Sequence, residues 1–158
     1  MERPETSGSG GVDLASVPRA AWISAGGAAV LLISVFMSWY SVNVDLNGLG
    51  ASGSVSGWHA TDLAKLVALL ALVALAAWAI ELFVPTVKLP YPAWMLAGAS
   101  GAVAFVLVLA RIVDKPGPDL SGALGVSIGT AFGIWLALVA AAAVVAGAYL
   151  RMKETRTG

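Results

Sequence analysis

Four long apolar runs, separated by short polar stretches, decide what this chain can become. The first lies between Arg19 and Asp45, with its core from Ala21 to Met37. The second starts at Thr61-Asp62 and ends near Val84. The third runs from about Pro92 to Val113, and the fourth from near Ser121 to Leu150. Within them the apolar character is unbroken, as in Leu66-Val67-Ala68-Leu69-Leu70-Ala71-Leu72-Val73. A strand of a membrane barrel would instead alternate apolar and polar residues over about 10 positions. Buried helices of a soluble protein need a polar shell, and a chain that is 59% hydrophobic and 11% charged has too little to make one. In hydrocarbon every backbone N–H and C=O needs a partner inside its own segment, which an α-helix supplies. The expectation is an all-α membrane protein, a four-transmembrane-helix bundle with spans at about 21–40, 62–84, 92–113 and 121–150. No ionisable residue lies between Asp119 and Arg151, so the fourth run exceeds a crossing and predicts a tilted or emerging helix.

The boundaries are marked by side chains that favour interfaces. Trp39 and Tyr40 close the first run, Trp58 precedes the second, Tyr91 and Trp94 open the third, and Tyr149 closes the fourth. Trp78 and Trp135 fall deeper and are expected between helices or against lipid. Thr61 or Asp62 suits an N-cap and Pro85 a stop. Residues 1–18 form a polar Gly/Ser tail, read as flexible. Glu2, Glu5 and Asp13 make it a poor signal peptide, so the first run is read as a retained span. With four spans both tails share a side. Arg3, Arg19, Lys88, Arg151, Lys153 and Arg156 lie on that side, and Lys65, Arg111 and Lys115 on the other. The positive-inside rule then places residues 1–18 and 151–158 in the cytoplasm of a multi-pass cell-membrane protein.

The loops differ in character. Pro85 to Tyr91 is short and makes spans two and three antiparallel neighbours. Asp114-Lys115-Pro116-Gly117-Pro118-Asp119 reads as a turn. In the outer loop, 41–60, Val42, Val44 and Leu46 alternate with polar residues ahead of Asn47-Gly48. A small β-hairpin capping the outer mouth and a flexible Gly/Ser loop are both compatible with it.

Chemistry-bearing residues are few. Nine Lys and Arg balance nine Asp and Glu, which gives no basic surface for nucleic acid. There is no cysteine, hence no disulfide, zinc–thiolate site or thiol nucleophile. Cofactors are expected to be none, and so are metal sites and catalytic residues. His59 is the single histidine. Ser56, His59 and Asp62 sit three apart, but a Gly/Ser-rich loop offers neither a rigid nucleophile turn nor an oxyanion hole. Lys65 lies three residues after Asp62 and can meet it on one helix face. Residues 66–80 cover about 22 Å, less than the roughly 30 Å hydrocarbon layer, so Lys65 or Glu81 must reach out or face protein. Glu81 is the candidate intramembrane acid of an ion or proton path. The preferred reading is an interfacial carboxylate paired with Lys88 or a tail residue.

The clearest pattern is in the fourth run, where Ser121, Gly125, Gly129, Gly133, Ala137 and Ala141 recur every four residues. On one helix that spacing makes a face of small side chains, which lets backbones approach closely in lipid. Ala97 and Gly101 repeat the spacing in the third run, and Ala21, Ala25 and Ala29 in the first. The stripe is expected to pack the spans against one another, with a partner or subunit face as the second reading and a pore as the third.

Ser38-Trp39-Tyr40-Ser41-Val42, Ser56-Gly57-Trp58 and Arg111-Ile112-Val113-Asp114-Lys115-Pro116-Gly117 resemble the boundary motifs of small four-span integral membrane proteins of actinobacteria. The resemblance implies architecture and location and carries over no site residue. The expected role is a non-enzymatic accessory or scaffolding subunit acting through helix contacts, with the lipid bilayer and a membrane protein or second copy as partners. The alternative is a small transporter or channel subunit.

Overall fold

The computed structural model describes residues 14–84, 86–115 and 125–158. Residues 1–13 of the tail, Pro85, the expected turn at Pro116 to Asp119, and Ser121 lie outside them. A single 3₁₀ turn, Leu14–Ser16, leads into α1 (Arg19–Phe36). Then come β1 (Ser38–Leu46), β2 (Leu49–Ser56), the short α2 (Gly57–Ala60), α3 (Asp62–Phe83), α4 (Ala93–Val113), β3 (Val126–Thr130) and α5 (Phe132–Thr157). Four helices, α1, α3, α4 and α5, are each long and apolar enough to cross a membrane. Thr61 caps α3, its hydroxyl accepting from the Ala64 N–H at 3.2 Å.

These helices pack side by side, α1 on α5 and α3, and α4 on α3 and α5. Their buried faces are built from small residues, such as Ala20, Ser24, Gly27 and Ala28 on α1 and Ala137, Ala140, Ala141, Gly147 and Ala148 on α5. Two clusters form the interior. One, with Leu31, Val35, Val67, Val108 and Ile134, lies toward the sheet. The other, with Ala21, Ala77, Trp78 and Ala97, lies toward the end that carries both termini. Large apolar side chains point outward, among them Ile33, Leu69, Val106 and Val139, exposed by 56–67%. Water does not tolerate so continuous an apolar exterior, and this is the surface of a multi-pass membrane protein.

Two expected spans are corrected. The first does not reach residue 40: α1 stops at Phe36, and Trp39 and Tyr40 belong to β1. The fourth does not begin near 121, because Val126–Thr130 is a strand and the helix starts at Phe132. Val126, Ile128 and Thr130 are β-branched and alternate with Ser127 and Gly129, a period of two that suits a strand. α5 runs past the expected end at Leu150 to Thr157.

The three strands form one antiparallel sheet in the order β2-β1-β3. Asn47 and Gly48 make the hairpin turn with φ of 52° and 91°, as a two-residue primed turn requires. The Gly48 N–H donates to Asp45 Oδ1 at 3.2 Å. Of the two readings of the outer loop, the hairpin is the one observed, and β3 extends it. Register fixes the faces. Tyr40 pairs with Val55 and Thr130, Val42 with Gly53 and Ile128, and Val44 with Ala51 and Val126, which makes one face mostly apolar. Ser41 pairs with Ser54 and Gly129, and Asn43 with Ser52 and Ser127, which makes the other polar.

Candidate functional site

The sheet is fastened to the helix ends through Trp39. Register shifts between Ser38 and Tyr40, so Trp39 is an extra residue in β1. A bulge of this kind lets two consecutive side chains turn the same way. Trp39 and Tyr40 are accordingly both buried, at 0% and 2% exposure. The Trp39 indole N–H donates to the Ser34 carbonyl at 2.8 Å, which also accepts from the Met37 N–H at 3.1 Å. That carbonyl belongs to the last turn of α1, where no helical donor remains for it. Gly57 lies against the ring: a Cβ there would come within 2.6 Å of Trp39 Cε2. The Trp39 carbonyl accepts from the Ala131 N–H at 2.7 Å, which ties the start of α5 to the same point.

Tyr40 makes the second attachment. Its hydroxyl donates to the Arg111 carbonyl in the last turn of α4 at 3.2 Å. Burial raises the phenol above its ordinary value, while the Arg111 guanidinium pulls it down and Asp114 adds to the rise. A neutral phenol is the form that can donate this bond. Gly125, at φ 65°, presses against the Asp45 carbonyl, and the Asp45 N–H donates to the Gly125 carbonyl at 2.8 Å. The polar face is left open. Asn43, Asp45, Ser52 and Ser127 line a shallow depression of about 450 Å³ on it.

The expected stripe is divided by this arrangement. Gly125 and Gly129 are not on a helix, so they do not join a helix-packing face with Gly133 and Ala137. Gly129 lies in β3 beneath the Ser41 hydroxyl, 2.8 Å from where its Cβ would be. Gly133, Ala137 and Ala141 do lie on α5 and are buried. A Cβ on Gly133 would come within 2.6 Å of the Ser38 carbonyl. Gly101 of α4 meets Val144 in the same way at 2.7 Å, and Ala97 is buried. On α1 the close approach uses other residues than Ala25 and Ala29, which are only half-buried. Gly27 faces the Ala140 carbonyl and the Val144 N, each at 3.0 Å from its Cβ position. Gly147 faces the Ser24 N at 2.5 Å and the Ala20 carbonyl at 2.8 Å.

Ser24 completes a buried polar junction of three helices. Its hydroxyl donates to the Val144 carbonyl of α5 at 3.2 Å and accepts from the Trp78 indole of α3 at 2.9 Å. Trp78 is 1% exposed, between helices, whereas Trp135 is 49% exposed. Sequence reasoning did not single out Ser24. Its signal was a hydroxyl four residues after Ala20 and four before Ala28, one of two serines in α1.

Glu81 sits in the last turn of α3, its side chain one-third exposed. One carboxylate oxygen accepts from the Ala93 N–H at 3.2 Å, at the start of α4. The other lies 3.9 Å from an Arg151 nitrogen, and Arg151 also meets Glu154 at 3.3 Å. An anion at a helix N-terminus satisfies an orphan donor and meets the positive end of the dipole. Glu81→Ala is therefore expected to lower stability by about 0.5–2 kcal/mol, the usual cost of losing a cap. Denaturant unfolding in detergent measures it, and a midpoint equal to that of wild type refutes the role.

At the sheet end Ser56 Oγ lies 3.0 Å from His59 Nδ1, and both are at the surface. Asp62 is turned to Lys65 at 2.7 Å, so the three residues do not form a relay. Among the described residues no three His, Cys, Asp or Glu side chains are gathered to hold a metal ion. Compared with known proteins, the chain matches no protein-family model and no curated sequence.

Proposed function

We propose that this chain is a non-enzymatic accessory or scaffolding subunit of the cell membrane, akin to the small actinobacterial four-span proteins. Its four helices form a transmembrane bundle with both termini in the cytoplasm. The three-stranded sheet then stands on the outer side and presents a surface to a membrane-protein partner. The observation that carries this reading is the sheet itself. It is fixed to α1, α4 and α5 by Trp39, Tyr40 and Ala131. Such attachment cuts the ordering cost of binding, because the surface is already formed before a partner arrives. Its free face carries Asn43, Ser52 and Ser127, neutral groups that can donate and accept hydrogen bonds, beside the single carboxylate of Asp45.

The experiment is photo-crosslinking in native membranes from position 52, followed by identification of the product. The expected result is a stoichiometric adduct with one other membrane protein that disappears in Asn43→Arg. A homo-oligomer that conducts ions in proteoliposomes would replace this reading with that of a channel or transporter subunit. Flux that survives Glu81→Gln would then remove Glu81 from its path.

A further inference from the structure

The surface between α1 and α3 has a feature that helix packing alone does not require. Near the termini end a groove of about 180 Å³ runs between them, with a lining that is almost wholly carbon. Its floor is Trp78, whose indole N–H is turned away to Ser24 and spent there. Trp22 and Phe83, 52% and 58% exposed, stand as its two lips. Leu14 and Val17, from the turn before α1, close one end. The groove exists because Ala25 and Ala79 are small where larger side chains would have filled it.

Size and chemistry select the occupant. From Leu75 to Phe83 along α3 the groove is about 12 Å long at about 1.5 Å per residue. A helix about 10 Å across would need several times the available volume over that length. An apolar cavity of about 150 Å³ holds a molecule the size of benzene, so this one matches a short stretch of hydrocarbon. Residues 1–13 carry Met1 and Val12 as their only large apolar side chains and cannot supply such a stretch. Arg19 opens α1 between Val17 and Ala21, is exposed, and forms no ion pair among the described residues. A cation beside the closed end of an apolar slot complements a lipid phosphate above its own acyl chain.

We propose that the α1/α3 groove binds one acyl chain of an anionic glycerophospholipid, with its phosphate at Arg19. This rests on the membrane-spanning reading. The probes are phosphatidylglycerol and phosphatidylcholine with identical chains, added to the delipidated full-length protein in detergent. Native mass spectrometry counts the lipids retained. The expected result is one phosphatidylglycerol per chain, retained in preference to phosphatidylcholine. Ala79→Phe fills the groove from an exposed position and is expected to abolish retention of both, with its circular dichroism and melting unchanged. Arg19→Gln is expected to keep a bound lipid and lose the preference. Retention unaltered by Ala79→Phe overturns the proposal, as does a second copy of the chain bound in place of lipid. Carbonate extraction separates the two levels. A chain that stays in membranes yet retains no lipid overturns the groove alone, and a chain that washes off overturns the spanning reading as well.

Discussion

Gly147→Leu is expected to prevent α1 and α5 from closing on each other, and even Gly147→Ala is expected to weaken the protein measurably. The Cβ of an alanine would stand 2.5 Å from the Ser24 nitrogen and 2.8 Å from the Ala20 carbonyl oxygen. Both are backbone atoms of a helix, so no side chain can swing aside to make room. The helices must separate, and separation breaks the Ser24 bond to the Val144 carbonyl and strains its bond to Trp78. Overpacking by a single methyl in a tight interior costs about 1–3 kcal/mol. Leucine adds three more carbons along the same vector. Without a hydrophobic force between helices in lipid, close packing and the buried hydrogen bonds are what hold this pair together. Gly26 supplies the control, since nothing lies within 4 Å of its Cβ position. Gly26→Ala on an open helical surface is expected to change stability by under about 1 kcal/mol, in the stabilising direction. Titration with sodium dodecyl sulfate, followed by circular dichroism, compares the variants. A Gly147→Ala midpoint equal to that of wild type would show that the close approach does not exist.

The helices were legible because hydrocarbon demands a long unbroken apolar run, and the residues that interrupt such runs are conspicuous. Thr61 at the start of α3 and Pro92 at the start of α4 show this. What misled was periodicity in small residues. A spacing of four puts Gly125, Gly129 and Gly133 on one side of a helix. An even spacing also puts Gly125 and Gly129 on one side of a strand, so the pattern cannot tell the two apart. The deciding signal is the alternating β-branched set Val126, Ile128 and Thr130. An aromatic pair at the end of an apolar run, such as Trp39-Tyr40, fits an interfacial belt as well as it fits a buried bulge. Only the register of β1 against its hairpin partner β2 distinguishes them, and a bulge has no local signature. On α1 the alanines are so dense that several stripes coexist. Partners on α5 select Ala20, Ser24 and Gly27 rather than Ala25 and Ala29. Of the Glu81 contacts, Ala93 and Arg151 lie 12 and 70 positions away, across helix ends whose lateral order the sequence does not state.

Trp39→Ala is expected to release the sheet from the helices while leaving the helices folded. The ring is fully buried, touches Gly57, and supplies the indole N–H on the Ser34 carbonyl. Truncating a buried tryptophan to alanine costs about 3–5 kcal/mol, from lost contacts and the cavity left behind. Here the loss is concentrated at one junction, because the Trp39 main chain also carries the link to Ala131. The hydrogen bond and the packing can be separated. Trp39→Phe keeps an aromatic ring and gives up the indole donor, but the Ser34 carbonyl still has the Met37 N–H. Its cost should therefore stay near the net worth of one hydrogen bond, about 0.5–1.5 kcal/mol. Gly57→Ala attacks the same contact from the other side, with its new methyl 2.6 Å from Cε2 of the ring, and should resemble Trp39→Ala. Amide hydrogen exchange reads the outcome segment by segment. In Trp39→Ala and Gly57→Ala, protection should collapse at Val42 and Val44, whose N–H groups face β2, and at Ser127 and Gly129, whose N–H groups face β1. It should persist at Ala71, Ala104 and Ala141, deep in the helices. Protection of the strands at wild-type levels in both variants would mean that the sheet is held by β1 pairing and Tyr40 alone. Loss of protection in sheet and helices together would mean that Trp39 belongs to the helix core and does not act as a separable fastening.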